Sequence, residues 1–178
     1  EAKKSETAFP DAMTLATCDQ NHQPHVRVVL LKAFDARGFV FYTNLESNKS
    51  REIQQNKRAS LNFYWKSLQK QIRIEGECEL VASDEADQYF ATRPRVSQLG
   101  AWASEQSRPM PDAWALEKRI AEVTLKFHVG HVPRPDFWSG YRVQPHFMEF
   151  WHEKPFRLHE RVSYQKQNGI WTPTRLYP

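Results

Sequence analysis

Arg157, Leu158, His159, Glu160 and Arg161 stand in one run near the end of the chain, shortly after Met148-Glu149-Phe150-Trp151. Side chains of an extended strand alternate between two faces. Read as a strand, this run projects Arg157, His159 and Arg161 from one face. Three such groups repel one another unless an anion or a polarised aromatic ligand lies over them. On spacing alone, a solvated outer face of an edge strand is the simpler account.

Two further clusters have the residue types for anions. Ser47-Asn48-Lys49-Ser50 falls at a predicted helix start. Free backbone N–H groups, a hydroxyl and a Lys there can hold a phosphate, although a plain N-cap with a solvated Lys is again simpler. Tyr89 and Arg93 are four apart on a predicted helix and share a face. With Ser97 beyond Pro94 they can hold a second phosphate, against the plainer reading of an exposed pair. Lys32 ends the apolar run Val28-Val29-Leu30-Leu31, where a Lys often marks only the exit of a strand to solvent. His128 and His131 lack a third ligand, so no metal site is expected. Glu75, Glu77 and Glu79 lie on one alternating face, as solvated acids do. No Gly-rich phosphate loop occurs, so a nucleotide cofactor must be held by side chains and helix ends.

The elements that position these groups are mostly strands. Ala12 to Cys18 and Val26 to Lys32 are apolar and β-branched, separated by the polar turn Asp19 to His22. Gly38 to Thr43, Ala59 to Trp65 and Gln71 to Leu80 follow. The last alternates most cleanly, with Ile72, Ile74, Cys78 and Leu80 opposite Arg73 and the three Glu, as one wet sheet face allows. Helices are predicted from Ser47 to Asn56, Ser83 to about Arg93, Pro94 towards Trp102, and Pro111 to His128, with Gly130 to Pro135 as a loop. Strands from Arg157 to Lys166 and Ile170 to Arg175 flank Asn168-Gly169, a strong hairpin signal. Short strands in hairpin order with helices between them predict an antiparallel β-barrel with flanking helices.

The 178 residues suit one domain spanning 1–178. Eleven Phe and six Trp favour a β-rich core. A net charge of +4 favours anionic ligands but is no polybasic tract, so no nucleic-acid partner is expected. No apolar run reaches membrane-spanning length and no signal peptide opens the chain, so no membrane role is expected. Cys18 and Cys78 read as buried thiols of a reducing, cytoplasmic compartment. The charged, helix-like opening Glu1-Ala2-Lys3-Lys4 suggests that the natural N-terminus lies further upstream.

In order and spacing these blocks resemble the pyridoxamine/pyridoxine 5'-phosphate oxidase family. The resemblance is carried by Arg27 to Lys32, Phe41-Tyr42-Thr43-Asn44, Ser47 with Lys49, Arg93-Pro94-Arg95 with Ser97-Gln98, Gly100 to Ser104 with Gln106-Ser107, Phe137-Trp138 with Gly140 to Val143, and Glu149-Phe150-Trp151 through Arg161. It runs from about residue 8 to the C-terminus. It implies a split β-barrel, mainly β with α, and a homodimer with FMN in sites built from both subunits. Arg27, Val28, Val29, Leu30, Leu31, Lys32, Tyr42, Thr43, Asn48, Lys49, Gln71, Gln106, Ser107, Trp151 and Arg161 would surround FMN. Lys32, Tyr89, Arg93 and Ser97 would hold the substrate phosphate, with the catalytic pair Arg157 and His159 facing its pyridine ring.

The implied reaction takes pyridoxamine 5'-phosphate or pyridoxine 5'-phosphate to pyridoxal 5'-phosphate. Hydride passes from the substrate's C4' to flavin N5, and O2 reoxidises the flavin to give peroxide. Asn48 stands where the family commonly has Arg, Ser139 where Gly is usual, and Glu160 where Asp is usual. The family also has a basic N-terminal segment over the substrate, which this chain starts too late to show. Two alternatives stay open: a related split-barrel flavoenzyme acting on another reduced ring, of phenazine type, or a non-catalytic protein that binds FMN or pyridoxal phosphate.

Overall fold

A computed structural model describes residues 1–6 and 8–178. After the short helix α1 (Ala2–Ser5), the strands β1 (Ala12–Cys18) and β2 (Pro24–Leu30) form a hairpin, and β3 (Ala33–Asp35) turns into β4 (Gly38–Asn44). Helix α2 (Asn48–Asn56) leads to β5 (Arg58–Trp65) and β6 (Lys70–Leu80). Three helices follow: α3 (Ser83–Thr92), α4 (Arg95–Ala103) and α5 (Ala115–Lys126). The chain closes with β7 (Trp138–His152), β8 (Glu160–Gln167) and β9 (Ile170–Leu176).

The nine strands form one antiparallel sheet in the order β2-β1-β5-β6-β7-β4-β3, with the β8–β9 hairpin attached to β7. The expected antiparallel barrel with flanking helices is therefore found. Sequence reading had omitted its central strand. β7 is 15 residues long and is paired to β6 along most of its length. Its other edge changes partner: residues Trp138 to Val143 face β4, and Phe147 to His152 face β8. The sheet splits there, around Pro145, which lies between the two partners on that edge and opposite the Glu75/Gly76 bulge on the other. Residues 138–143 are all buried, so β7 lacks the alternation that marks a strand with one wet face. The three-residue β3 was also missed.

Other boundaries moved by a few residues. Helix α5 starts at Ala115 rather than Pro111, and β2 ends at Leu30 rather than Lys32. Inward positions of β1 are Met13, Leu15 and Thr17, as a period of two requires. Met13 and Leu15 meet Phe41, Ile53, Leu61, Ile74 and Val143 in the main core. On β6, Ile74 and Cys78 point inward as expected, but a bulge at Glu75/Gly76 interrupts the register and Leu80 lies 54 % exposed. A smaller core joins Phe90, Leu99, Val132 and Trp138 under α3 and α4. At the β8–β9 turn, Asn168 and Gly169 both have positive φ, 50° and 81°, as a two-residue hairpin turn demands.

The expected strand from Arg157 is corrected. Residues Pro155–Arg157 form a single 3-10 turn, and β8 starts only at Glu160. Pro155 has no N–H to give to a ladder, and Phe156 and Arg157 both take positive φ, 59° and 63°. Strand alternation therefore does not govern Arg157 or His159, and their shared face with Arg161 cannot be derived from it.

Cys18 and Cys78 are both free thiols, the first only half-buried. Burial pushes the Cys78 thiol up to about 12. Among the described residues no His, Cys, Asp or Glu cluster suits a metal ion, and no helix is long and apolar enough to cross a membrane.

Candidate active site

A cavity of about 1020 Å³ opens between β2, β4 and the starts of α2 and α4, enough for a cofactor and a small substrate. Most of the singled-out residues meet on its wall. β2 brings Arg27, Val28, Val29 and Leu30, and the next turn brings Lys32. β4 contributes Tyr42 and Thr43, and α2 opens on Asn48 and Lys49. Tyr89, Arg93 and Ser97 come from the α3–α4 corner, and Gln106 and Ser107 from the loop after α4. Leu31 does not line the cavity; its side chain packs on the main core.

The start of α2 is built to leave donors free. Ser47 is the N-cap residue, as expected, but its hydroxyl does not cap the helix. It donates to the Asn44 carbonyl at 2.8 Å, as does Ser50. The first-turn N–H groups thus have no side-chain cap from Ser47, and Asn48 N–H reaches only the Ser107 hydroxyl at 3.4 Å. The Lys49 ammonium donates to Thr43 Oγ1, Ser47 Oγ and Gln106 Oε1, each at 3.1 Å. All three acceptors are neutral. Burial, with the nearby Arg27 cation, pushes Lys49 down to about 8.

Arg27 is held differently. One Nη donates to Thr17 Oγ1 and the other to Glu52 Oε2 at 3.2 Å. Glu52 is buried on α2 and also meets Thr17 Oγ1 and, at 3.0 Å, His25 Nδ1. Lys32 is paired with Asp11 at 3.1 Å, both partly exposed. Arg93 has no carboxylate at ion-pair distance among the described residues, and its Nη1 is buried without a partner. Loss of solvent pulls the Arg93 guanidinium below its ordinary value. An unpaired buried donor of this kind is costly unless an acceptor arrives. Lys49 and Arg93 therefore fit two anionic groups, beside the mutually stacked rings of Tyr42, Tyr89 and Trp138.

Gln71, Trp151, Arg157, His159 and Arg161 do not line this cavity. Gln71, Trp151, His159 and Arg161 gather elsewhere, where β6, β7 and β8 run side by side. Gln71 pairs in register with Trp151, and Trp151 with Arg161. The Trp151 and His159 rings lie 4.7 Å apart, and His159 Nδ1 accepts from Lys154 N–H at 3.3 Å. Arg161 donates through Nε to Glu149 Oε1 at 2.7 Å and through Nη1 to the Tyr177 carbonyl at 3.0 Å. Glu149 is buried and its other oxygen accepts from Arg73 at 3.1 Å. Arg157 is exposed on its turn. Glu160 approaches Lys154 rather than Arg161.

Sequence reasoning missed Trp138, Glu52 and Glu149 as parts of the site. Trp138 was visible only inside the Phe137-Trp138 block. The two buried acids carry no local signal, because their partners come from distant strands.

Comparison with known proteins agrees with this geometry. The pattern described as Pyridoxamine 5'-phosphate oxidase matches residues 2–127, and that described as Pyridoxine 5'-phosphate oxidase C-terminal dimerisation region matches residues 138–178. A Pyridoxine/pyridoxamine 5'-phosphate oxidase of Caulobacter vibrioides is 56 % identical over 100 % of this chain and 80 % of its own length. The protein of that name from Rhizobium meliloti is 53 % identical over 100 % and 87 %. Among solved structures, PhzG from Burkholderia lata 383, in complex with tetrahydrophenazine-1-carboxylic acid, superposes with a TM-score of 0.93 at 34 % identity, covering 99 % of this chain and 87 % of that one. A pyridoxamine 5'-phosphate oxidase-related, FMN binding protein of Nostoc punctiforme shares the fold at 16 % identity, with a TM-score of 0.77 over 97 % and 90 % of the two chains. With both patterns matched and relatives above 50 % identity along its whole length, the chain belongs to the pyridoxamine 5'-phosphate oxidase family.

Proposed function

We propose that the chain is an FMN-dependent oxidase that converts pyridoxamine 5'-phosphate and pyridoxine 5'-phosphate to pyridoxal 5'-phosphate, reducing O2 to H2O2. It works as a homodimer, and residues 1–178 act as one FMN-binding unit because β7 is shared by both halves of the sheet. Its two free thiols suit a cytoplasmic setting.

The observation that carries the reading is the buried, unpaired Arg93 donor on the cavity wall beside Tyr89 and Ser97. A phosphorylated substrate supplies the acceptor it lacks as a dianion that Tyr89 and Ser97 beside it can also contact, whereas a phenazine carboxylic acid offers a planar monoanion with one oxygen fewer. Arg93, Ser97, Tyr89 and Lys32 would bind that phosphate, Lys32 exchanging Asp11 for it. Lys49, Thr43, Gln106, Ser107 and the open start of α2 would hold the FMN phosphate, as helix N-termini do. Bound FMN supplies the hydride acceptor and passes the electrons to O2. Arg157 and His159 of one subunit would reach over the substrate ring in the partner's cavity, where a preorganised cation favours charge that develops during the reaction.

The test is anaerobic mixing of the yellow protein with pyridoxamine 5'-phosphate and, separately, with a dihydrophenazine carboxylic acid. Rapid bleaching by the first, with release of pyridoxal 5'-phosphate in air, is expected. Bleaching by the phenazine alone would assign the chain to the other activity, and bleaching by neither would leave a binding protein.

Two expectations concern the cofactor. A charge-assisted hydrogen bond contributes roughly 1.5–3 kcal/mol, so Asn48→Arg should tighten FMN several-fold or more. Fluorescence titration of the apoprotein checks this; equal or weaker binding would mean that other groups already satisfy the FMN phosphate.

Lys49 gives a pH dependence. Its folded value of about 8 lies below the ordinary 10.5, so the unfolded chain holds this proton more tightly. The charged Lys49 costs the apoprotein stability in full below about 8, and that cost fades as pH rises towards 10.5. Binding of the FMN phosphate has the opposite slope, because it favours the ammonium. FMN affinity should fall by up to about tenfold per pH unit above that value. Lys49→Met should bind FMN more weakly and without this slope.

A further inference from the structure

An arginine side chain usually ends in water or against a carboxylate. Arg93 does neither. Its Nη1 is buried and has no partner, and what the guanidinium touches is aromatic. Its Cζ lies 4.7 Å from the centre of the Trp138 ring and 5.5 Å from that of Phe90. Trp138 is itself 6 % exposed and fixed on several sides. Tyr42 stacks on it at 5.2 Å and 8° between planes, and Phe90 meets it edge-on at 5.0 Å. Tyr42 is in turn stacked on Tyr89 at 4.0 Å. Nor does Tyr42 have room to retreat, since a Cβ on Gly140 would lie 2.8 Å from its ring. The column of rings is therefore rigid, and Arg93 rests on one of its faces.

We propose that Trp138 is a positioning residue of the phosphate subsite: its ring takes the place of a counter-ion and holds the Arg93 guanidinium partly desolvated, with in-plane donors free for a phosphate dianion. The proposal rests on the oxidase reading above, in which Arg93 meets the substrate phosphate. The physical reason lies in the geometry of the two attractions. A carboxylate would neutralise Arg93 by accepting the same in-plane N–H groups that a phosphate needs. A ring face attracts the cation from above its plane and leaves those donors unused. Part of the guanidinium's water is removed when the protein folds rather than when substrate binds, which is preorganisation. Among aromatic residues the indole face attracts a cation best, a phenyl face less well, and an aliphatic side chain not at all.

The experiment uses the FMN-loaded dimer as wild type, Trp138→Leu, Trp138→Phe and Arg93→Lys. Binding of inorganic phosphate is measured by calorimetry, and turnover with pyridoxamine 5'-phosphate and with phosphate-free pyridoxamine. Trp138→Leu should weaken inorganic phosphate and raise KM for pyridoxamine 5'-phosphate by about tenfold, while kcat stays within about threefold. Its kcat/KM for phosphate-free pyridoxamine should fall much less than that for pyridoxamine 5'-phosphate, whereas a merely loosened structure would lose both alike. Trp138→Phe should fall between the two. Wild-type phosphate affinity in a Trp138→Leu dimer that keeps its FMN overturns the proposal, as does an equal loss with both substrates. If Trp138→Leu does not fold, Trp138→Phe decides: a loss of about threefold for inorganic phosphate supports the role, and no loss rejects it. Arg93→Lys separates the two levels. Unchanged phosphate binding there defeats the assignment of Arg93 itself. Weakened binding there, with both Trp138 variants unaffected, defeats only the role of Trp138.

Discussion

Equal amounts of two inactive variants, Arg93→Ala and Arg157→Ala, should regain about one quarter of wild-type oxidase activity once their subunits exchange, since a twofold dimer has two equivalent sites. Each variant alone has a different defect. Arg93→Ala removes a cavity donor, so activity at low substrate should collapse. Arg157→Ala should stay yellow but bleach at least a hundredfold more slowly with pyridoxamine 5'-phosphate, because losing a transition-state contact costs about 2.7–4 kcal/mol. His159→Ala should behave like Arg157→Ala. Recovery on mixing follows from where the residues sit. Arg93 lines the cavity between β2, β4 and the helices, whereas Arg157 lies on the exposed turn before β8 and lines no part of it. In a mixed dimer one site receives both wild-type residues and the other receives neither. Mass spectrometry can verify that exchange occurred. Mixed dimers without any recovered activity would mean that both residues serve the same chain, or that one of them serves no site.

Replacing Glu149 should have the largest effect on stability among the site residues. Its carboxylate is 4 % exposed and bridges Arg73 and Arg161, which are 41 % and 28 % exposed. Breaking a fully buried ion pair costs about 3–5 kcal/mol. Both guanidinium groups reach water here, so Glu149→Gln should cost somewhat less, about 2–3 kcal/mol, read as the shift of a urea midpoint at unchanged slope. The variant should also lose FMN, because Glu149 holds Arg161 by its strongest contact. Arg161→Ala should lose FMN too, in contrast to Arg157→Ala. A Glu149→Gln protein with wild-type stability and colour would show that Arg161 is positioned by its strand and the Tyr177 carbonyl alone.

Much of this molecule was legible before its structure. The apolar, β-branched run Ala12 to Cys18 located β1, and Asn168-Gly169 located the last hairpin, because both signals are local. Tyr89, Arg93 and Ser97 proved to line the same cavity as Lys49, although one turn of helix and one family pattern were all that linked them. What escaped was set by distant contacts. β7 is buried at one end and partly wet at the other because its neighbour changes along its length. No single period describes such a strand. The arrangement of Arg157 and His159 escaped because Pro155 breaks the strand just before them. The roles of Glu52 and Glu149 were hidden for a related reason: an acid in a strand or helix looks solvated until the cations facing it are known.

The shared strand also has a consequence for the birth of the protein. β7 is made after residues 1–137, yet it supplies the partner for β6 on one side and for β4 on the other. Until it leaves the ribosome, those two strands present unpaired edges, and such edges invite pairing with other chains. Contacts this far apart in sequence also form slowly. Trp138, the first residue of β7, is part of the cavity wall. A nascent chain therefore cannot close this cavity before β7 has been made and joined to the sheet.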